Sequence, residues 1–388
     1  MDEHALRVLE YNKIIDKLIE KTSTSLGMQT AKLTYPTTHL QTAINKQKET
    51  SEARDILEFV GNIPLGGISD IKPLAERGKV GSMLQPKELL TIQETLQSSE
   101  RLKLFLLKLI DKYPIMAGIA KEISDFKKIV NEISYAISSN GEVMDSASIE
   151  LAKVRTELRS TQHRITEKLN NYIQSSQYRI YIQEPVITVR NERYCIPVKA
   201  EYKAQISGIV HDTSSSGATL FIEPTPIVEM GNRRTQLLVK EKEEVEKILK
   251  KLSETVGEYA EEILFSMDTI GIIDCITAKA QLSISMNAVE PILNDKGKVE
   301  LIAARHPLLE GDVVPIDMPL GKKFNGLLIT GPNTGGKTVS LKTLGLFSLM
   351  GASGMHVPAL PGTELAVFSE IFADIGDEQS IEQSLSTF

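Results

Sequence analysis

Two stretches of the chain carry apolar residues on a narrow three-to-four step, and they limit the fold more than any other feature. Leu151, Val154, Leu158, Thr161, Ile165, Leu169 and Tyr172 advance by 3, 4, 3, 4, 4 and 3 residues. Val245, Leu249, Leu252, Val256, Tyr259 and Ile263 advance by 4, 3, 4, 3 and 4. Seams this narrow, with polar flanks, suit helices that pair rather than the wide apolar face of a globular helix. Each helix is expected to run about 30 residues, roughly 45 Å at the α-helical rise. Between them, residues 178–181 and 185–197 are β-branched and aromatic, and 206–222 read strand–turn–strand. The pattern predicts a helical hairpin with a small β-rich tip at about 178–225. Packing of each helix inside a bundle is the alternative.

The flanking regions differ in texture. Residues 1–145 read helical. Leu6, Leu9, Ile14, Ile15, Leu18 and Ile19 predict one helix over 5–19, and a second block over 86–110 carries the stripe Leu102, Phe105, Leu106, Leu109, Ile110 and stops before Pro114. From about residue 299, short apolar runs at 299–303, 326–330 and 365–373 alternate with Gly/Pro turns and one helix at 337–348, an α/β texture. The expected division is 1–145, 146–265 and 266–388.

Composition narrows the class. The 388 residues contain 5% aromatics and no Trp, so the cores must be mainly aliphatic. A formal charge of −7 argues against a chain that coats nucleic acid by bulk charge, although a local basic face is compatible with it. The two cysteines, Cys195 and Cys275, permit one bridge at most and read as small core residues. No His pair has metal-ligand spacing, so zinc is not expected. The amino terminus lacks a signal-peptide pattern and no apolar run approaches ~18 residues. A cytoplasmic protein without a membrane segment is expected.

The chemistry sits in Gly331-Pro332-Asn333-Thr334-Gly335-Gly336-Lys337-Thr338, which matches G-x-x-x-x-G-K-[ST] between the apolar run 327–330 and a helical one. Glycines let backbone N–H groups surround phosphates, and the helix start adds a positive dipole end. Lys337 supplies a cation for the β/γ-phosphates, and Thr338 a hydroxyl for Mg²⁺. The motif therefore predicts ATP and Mg²⁺ binding. Hydrolysis also needs a strand ending in Asp. The one candidate, Asp374 after 371–373, follows a run interrupted by Glu370 and reads more simply as a strand feeding an acidic loop. No complete catalytic set is read in this chain.

These residues resemble the MutS ATPases. The resemblance rests on the GPNTGGKT loop, the landmark Arg305-His306-Pro307-Leu308-Leu309-Glu310, the turn Val357-Pro358-Ala359 and residues 371–388. Arg193-Tyr194-Cys195-Ile196-Pro197-Val198-Lys199 and residues 208–224 (GIVHDTSSSGATLFIEP) are similar to the second bacterial branch, MutS-two, which lacks mismatch-reading and connector domains. The resemblance implies an α-helical core with a long helical-hairpin lever and a β-rich clamp tip, followed by the first half of an α/β P-loop, ABC-like ATPase domain. It implies a homodimer acting on branched DNA to suppress recombination, on collided ribosomes and their rRNA, or on both, and not mismatch repair. Ser386 and Thr387 match the signature that reaches the partner's γ-phosphate; an N-capping role for them stays open. Family members continue into a Walker B strand and usually a nuclease domain, neither present here, so a fragment is expected. A truncated, non-hydrolysing nucleotide-binding module is the alternative.

Two further readings remain open. Arg179, Arg190, Arg193, Lys199 and Lys203 outnumber Glu184, Glu192 and Glu201 in the tip. A solvated mixed-charge face explains such a run. The clamp position implied by the resemblance instead makes Arg190, Arg193, Lys199 and Lys203 candidate phosphate contacts. His306 reads as a structural histidine at a strand end, with a place near the nucleotide as the alternative.

Overall fold

The computed structural model describes residues 2–309, 311–330 and 336–375. In chain order its elements are α1 (Glu3–Val8), α2 (Tyr11–Ile19), α3 (Ser25–Lys32), α4 (Leu40–Phe59), α5 (Lys72–Lys79), α6 (Pro86–Leu107), α7 (Pro114–Lys121), α8 (Lys127–Ala136), α9 (Ile149–Gln174), β1 (Thr188–Arg190), β2 (Arg193–Lys199), β3 (Gly208–Thr213), β4 (Thr219–Pro224), α10 (Thr225–Glu258), α11 (Ala260–Ser285), β5 (Ile292–Asn294), β6 (Val299–Ala304), β7 (Ile316–Leu320), α12 (Lys337–Ala352) and β8 (Glu364–Ala366). The fold is helical with two small sheets. It divides into two compact units. One holds the described residues up to Glu76, Thr91–Val130 and those from Glu258 onward; the other holds Arg77–Leu90 and Asn131–Gly257.

In the first unit α11 is apolar on nearly every side, which is the pattern of a central helix. It packs against α2, α3, α4 and α7. Its one deeply buried acid, Asp274, is satisfied just ahead of α3: it accepts from the Ser23 and Thr24 N–H groups and, at 2.7 Å, from the hydroxyl of Thr24, the N-cap of α3. Leu6 of α1, Leu9 just after it, and Ile14 and Leu18 of α2 share a core with Leu346, Phe347, Leu349 and Met350 of α12. Burial of such side chains stabilises by roughly 1.5–3 kcal/mol each. The sheet runs β5-β8-β6-β7, with β5 parallel to β8 and the other pairs antiparallel.

In the second unit the sheet is antiparallel throughout, in the order β1-β2-β4-β3. Its core joins Ile165, Leu169 and Ile173 of α9 with Ile196 and Val198 of β2, Ile222 of β4 and Ile227 of α10. Arg155 of α9 pairs with Glu241 of α10 at 2.7 Å, and Glu157 with Arg233 at 2.7 Å. The two helices are thus tied by charge as well as by apolar contact.

Several elements differ from the sequence reading. The helix expected over 5–19 breaks between α1 and α2, because Glu10 adopts φ 59° and turns its carboxyl into an ion pair. No Gly or Pro marks the break. The seam of 245–263 crosses a second break, at Tyr259, between α10 and α11. Residues 178–181 form turns rather than a strand. The run 327–330 is not a strand among the described residues: it pairs with no neighbour, and Leu328 is 86% exposed. Apolar, β-prone residues make a strand only where a ladder partner accepts their backbone groups. The run 365–373 yields only β8, and Asp374 lies in irregular chain.

Candidate functional site

The glycine-rich motif meets the structure at Gly336. Its φ of 76° is left-handed, with nothing within 4 Å of where a Cβ would stand, so conformation and not crowding calls for glycine. Gly336 is the N-cap of α12 and, lacking a side chain, caps no N–H itself. The first-turn amides are therefore suited to an outside acceptor. Lys337 and Thr338 occupy that first turn, with Thr338 exposed. Gly331, Pro332, Asn333, Thr334 and Gly335 lie outside the described residues, as do Glu310, Ser386 and Thr387.

Further along α12, Lys342 is buried and pairs with Glu10 at 3.2 Å. Lys13 binds the same carboxylate at 3.2 Å. Burial alone would raise the Glu10 pKa; Lys342 and Lys13 more than reverse this and hold it below the usual carboxylate range. Thus the helix that begins at the motif is fixed by charge to the α1–α2 corner. The sequence reading missed this pair. Its signal was one lysine within the otherwise apolar stripe of α12.

His306, in the loop after β6, is 3% exposed. Burial pushes its pKa down to about 4, with Lys342 adding to the effect and Glu10 opposing it. Its Nδ1 accepts from the Leu308 N–H at 3.3 Å. A neutral, buried histidine fits the structural reading. However, its Nε2 finds no hydrogen-bond partner among the described residues.

The basic candidates of the second unit sit on and beside its sheet. Arg190 pairs with Asp212 at 3.1 Å and lies over the Phe221 ring, 4.2 Å from its centroid. Arg193 reaches Glu223 at 3.4 Å and Asn232 at 2.8 Å. Lys199 stands over the Tyr202 ring at 5.9 Å, and Lys203 is exposed. Thus both arginines are engaged within the protein. The partner that organises this face, Glu223, is 1% exposed and also meets His211 Nε2 at 2.7 Å. It escaped the sequence reading because nothing local marks a glutamate in β4 as buried. Cys195 and Cys275 are both buried, and burial raises the Cys195 thiol to about 11, which leaves it an inert core group.

Residues 327–388 match the family model described as MutS domain V. Over the whole chain, 46% of residues are identical to the Endonuclease MutS2 of Geobacillus sp. (strain WCH70), of which the chain covers 50%. Identity is 48% to the Endonuclease MutS2 of Alkaliphilus oremlandii and 48% to that of Shouchella clausii, again with 100% of this chain and 50% of each relative aligned. The chain spans about half the length of the curated relatives it matches. On this whole-length identity, together with the MutS domain V match, the chain belongs to the MutS2 family.

Proposed function

We propose that the chain binds ATP at the amino end of α12, within the first half of an ABC-like P-loop ATPase domain that a longer MutS2 protein completes. The observation that carries this reading is the left-handed Gly336 leading into Lys337 and an exposed Thr338 at the head of a 16-residue helix. First-turn amides and Lys337 would hold the phosphates, and the Thr338 hydroxyl would take part in holding Mg²⁺. The metal, when bound, supplies charge neutralisation at the β/γ-phosphates. The longer protein is read as a homodimeric clamp on branched DNA, where it suppresses recombination, on collided ribosomes through their rRNA, or on both. The relatives' name, endonuclease, describes those longer proteins; no residue of this chain is assigned to DNA cleavage. In the 388-residue chain, Lys337→Ala is expected to abolish binding of a fluorescent ATP analogue. Equal affinity of the variant and the parent would overturn the site.

One observation favours a second reading of the chain by itself, as a nucleotide-binding module that does not hydrolyse. Asp374 is exposed and ends no strand, so the described residues offer no acid positioned for the Mg²⁺ shell. Steady-state ATPase is expected to be absent from the purified chain. Turnover that disappears with Lys337→Ala would refute this second reading.

A further inference from the structure

Helix α12 is held very differently at its two ends. At the head, Gly336 and Thr338 are exposed. At the tail, a left-handed Gly354 closes the helix: its N–H donates to the Gly351 carbonyl at 3.2 Å, and the Met355 N–H to the Met350 carbonyl at 3.0 Å. Each carbonyl from Gly351 to Met355 also takes a donor from a distant part of the same compact unit. Gln47 Nε2 of α4 donates to the Gly351 and Met355 carbonyls, both at 2.9 Å. The Thr50 hydroxyl donates to the Gly354 carbonyl at 2.6 Å. Lys279 Nζ of α11 donates to the Ser353 carbonyl at 2.8 Å, and the Thr37 N–H to that of Ala352 at 3.1 Å. Gln47, Thr50, Lys279 and Ser353 are all buried. Lys46 and Glu49 of α4 stand close enough to act on the Lys279 charge, and neither bonds to it among the described residues. That charge is set instead against the negative end of the α12 dipole. Gln47 Oε1, also buried, has no hydrogen-bond partner among the described residues, so the bonds of this side chain both run to the tail of α12. Burying an amide, a hydroxyl and an ammonium is costly unless their bonds are made. All three make theirs to one helix end.

We propose that Lys279, Gln47 and Thr50 are positioning residues of the nucleotide site. They act through α12: by fixing its tail they set where its first turn meets the phosphates, about 24 Å away along the helix at the α-helical rise. A helix is a rigid element over that length, so a tail that slips or tilts carries the first-turn amides with it. The cation at the tail and the phosphates at the head occupy the two ends of one dipole, each with the favourable sign. This role rests on ATP binding at α12, and it names distant side chains on which the affinity depends.

The fluorescent ATP analogue is the probe, titrated into the 388-residue chain under conditions where each variant is folded by circular dichroism. Lys279→Met keeps the apolar stem and loses the charged donor; it is expected to weaken the analogue about tenfold. Thr50→Val keeps the shape of the side chain, loses the hydroxyl and should weaken it severalfold. Thr50→Ser keeps the hydroxyl and loses a buried methyl, so it should bind as the parent does although its urea midpoint falls. Affinity and stability then separate, which a purely structural role would not produce. Parental affinity in either folded deletion variant would overturn the proposal, as would an equal loss in Thr50→Ser and Thr50→Val. Should Lys279→Met fail to fold, the Thr50 variants decide alone. A parent that binds no analogue, or a Lys337→Ala variant that binds it equally, removes the α12 site and the positioning role with it. Loss confined to Lys337→Ala leaves the site standing and removes the positioning role only.

Discussion

At the scale of single residues, buried histidines make stability depend on mild acid. His306 and His356 are each 3% exposed and held near pKa 4. For His356, burial dominates and Arg54 adds to it, while Ser283 and Ser51 occupy its two nitrogens at 2.8 and 3.0 Å. The unfolded chain takes up these protons near pH 6.5, and the native state does not until about pH 4. Stability from each ring is thus complete above pH 6.5 and is lost as pH falls toward 4, by about 2 kcal/mol per histidine at pH 5. The urea midpoint is expected to drop between pH 7 and pH 5, and His356→Gln should remove roughly half of that drop. An unchanged slope in the variant would refute the assignment. None of this was legible in the sequence, where the six histidines differ only in their neighbours. Burial distinguishes them, and burial comes from distant elements.

At the scale of elements, close backbone approach sets what can pack. Near the end of α10, a Cβ at Gly257 would stand 2.4 Å from the Gly78 carbonyl oxygen of α5. Ala for Gly inside a helix normally gains about 1 kcal/mol in propensity. Here the contact is with backbone, which cannot rotate away, so crowding wins. Gly257→Ala is expected to destabilise by about 1–3 kcal/mol, read as a lower midpoint in urea. A more stable variant would show that the crossing yields. Helix α9, Ile149–Gln174, coincides closely with its seam: of the marked positions Leu151, Val154, Thr161, Ile165 and Leu169 are buried, Ile165 and Leu169 within the sheet core, and Leu158 is half-buried. The breaks at Glu10 and Tyr259 were harder to read. At Glu10 the chain carries no turn residue, and the carboxyl of this left-handed residue pairs with Lys342, far away in sequence; at Tyr259 the one local signal is Gly257, two residues earlier.

At the scale of the whole molecule, the nucleic-acid reading becomes more specific. Reversing Arg193 would strip Glu223 of a partner in the interior, so lost binding in that variant would be ambiguous. Lys199 and Lys203 are cleaner probes, because neither supports a buried carboxylate. In the full-length protein, Lys199→Glu/Lys203→Glu is expected to weaken branched-DNA binding severalfold and to flatten its salt dependence. Ribosome co-sedimentation should be unaffected if DNA is the substrate. Loss of ribosome binding with DNA affinity intact would transfer the clamp reading to the ribosome. Among the described residues, no helix is long and apolar enough to cross a membrane.

The sequence by itself determined what depends on local order. The seam of α9, the hairpin of β3 and β4, the glycine-led start of α12 and the whole-length MutS-two resemblance all follow from residue types at fixed spacing. Tertiary structure decided what depends on neighbours far apart in the chain. Glu10 meets Lys342 across 332 positions, Glu223 is buried beneath Arg193 and His211, and His306 Nε2 is buried without a hydrogen-bond partner among the described residues. The physical reason is the same in each case. Period and turn chemistry are written within a few residues, whereas the cost of a buried charge or an unmade hydrogen bond depends on which distant groups the fold brings beside it.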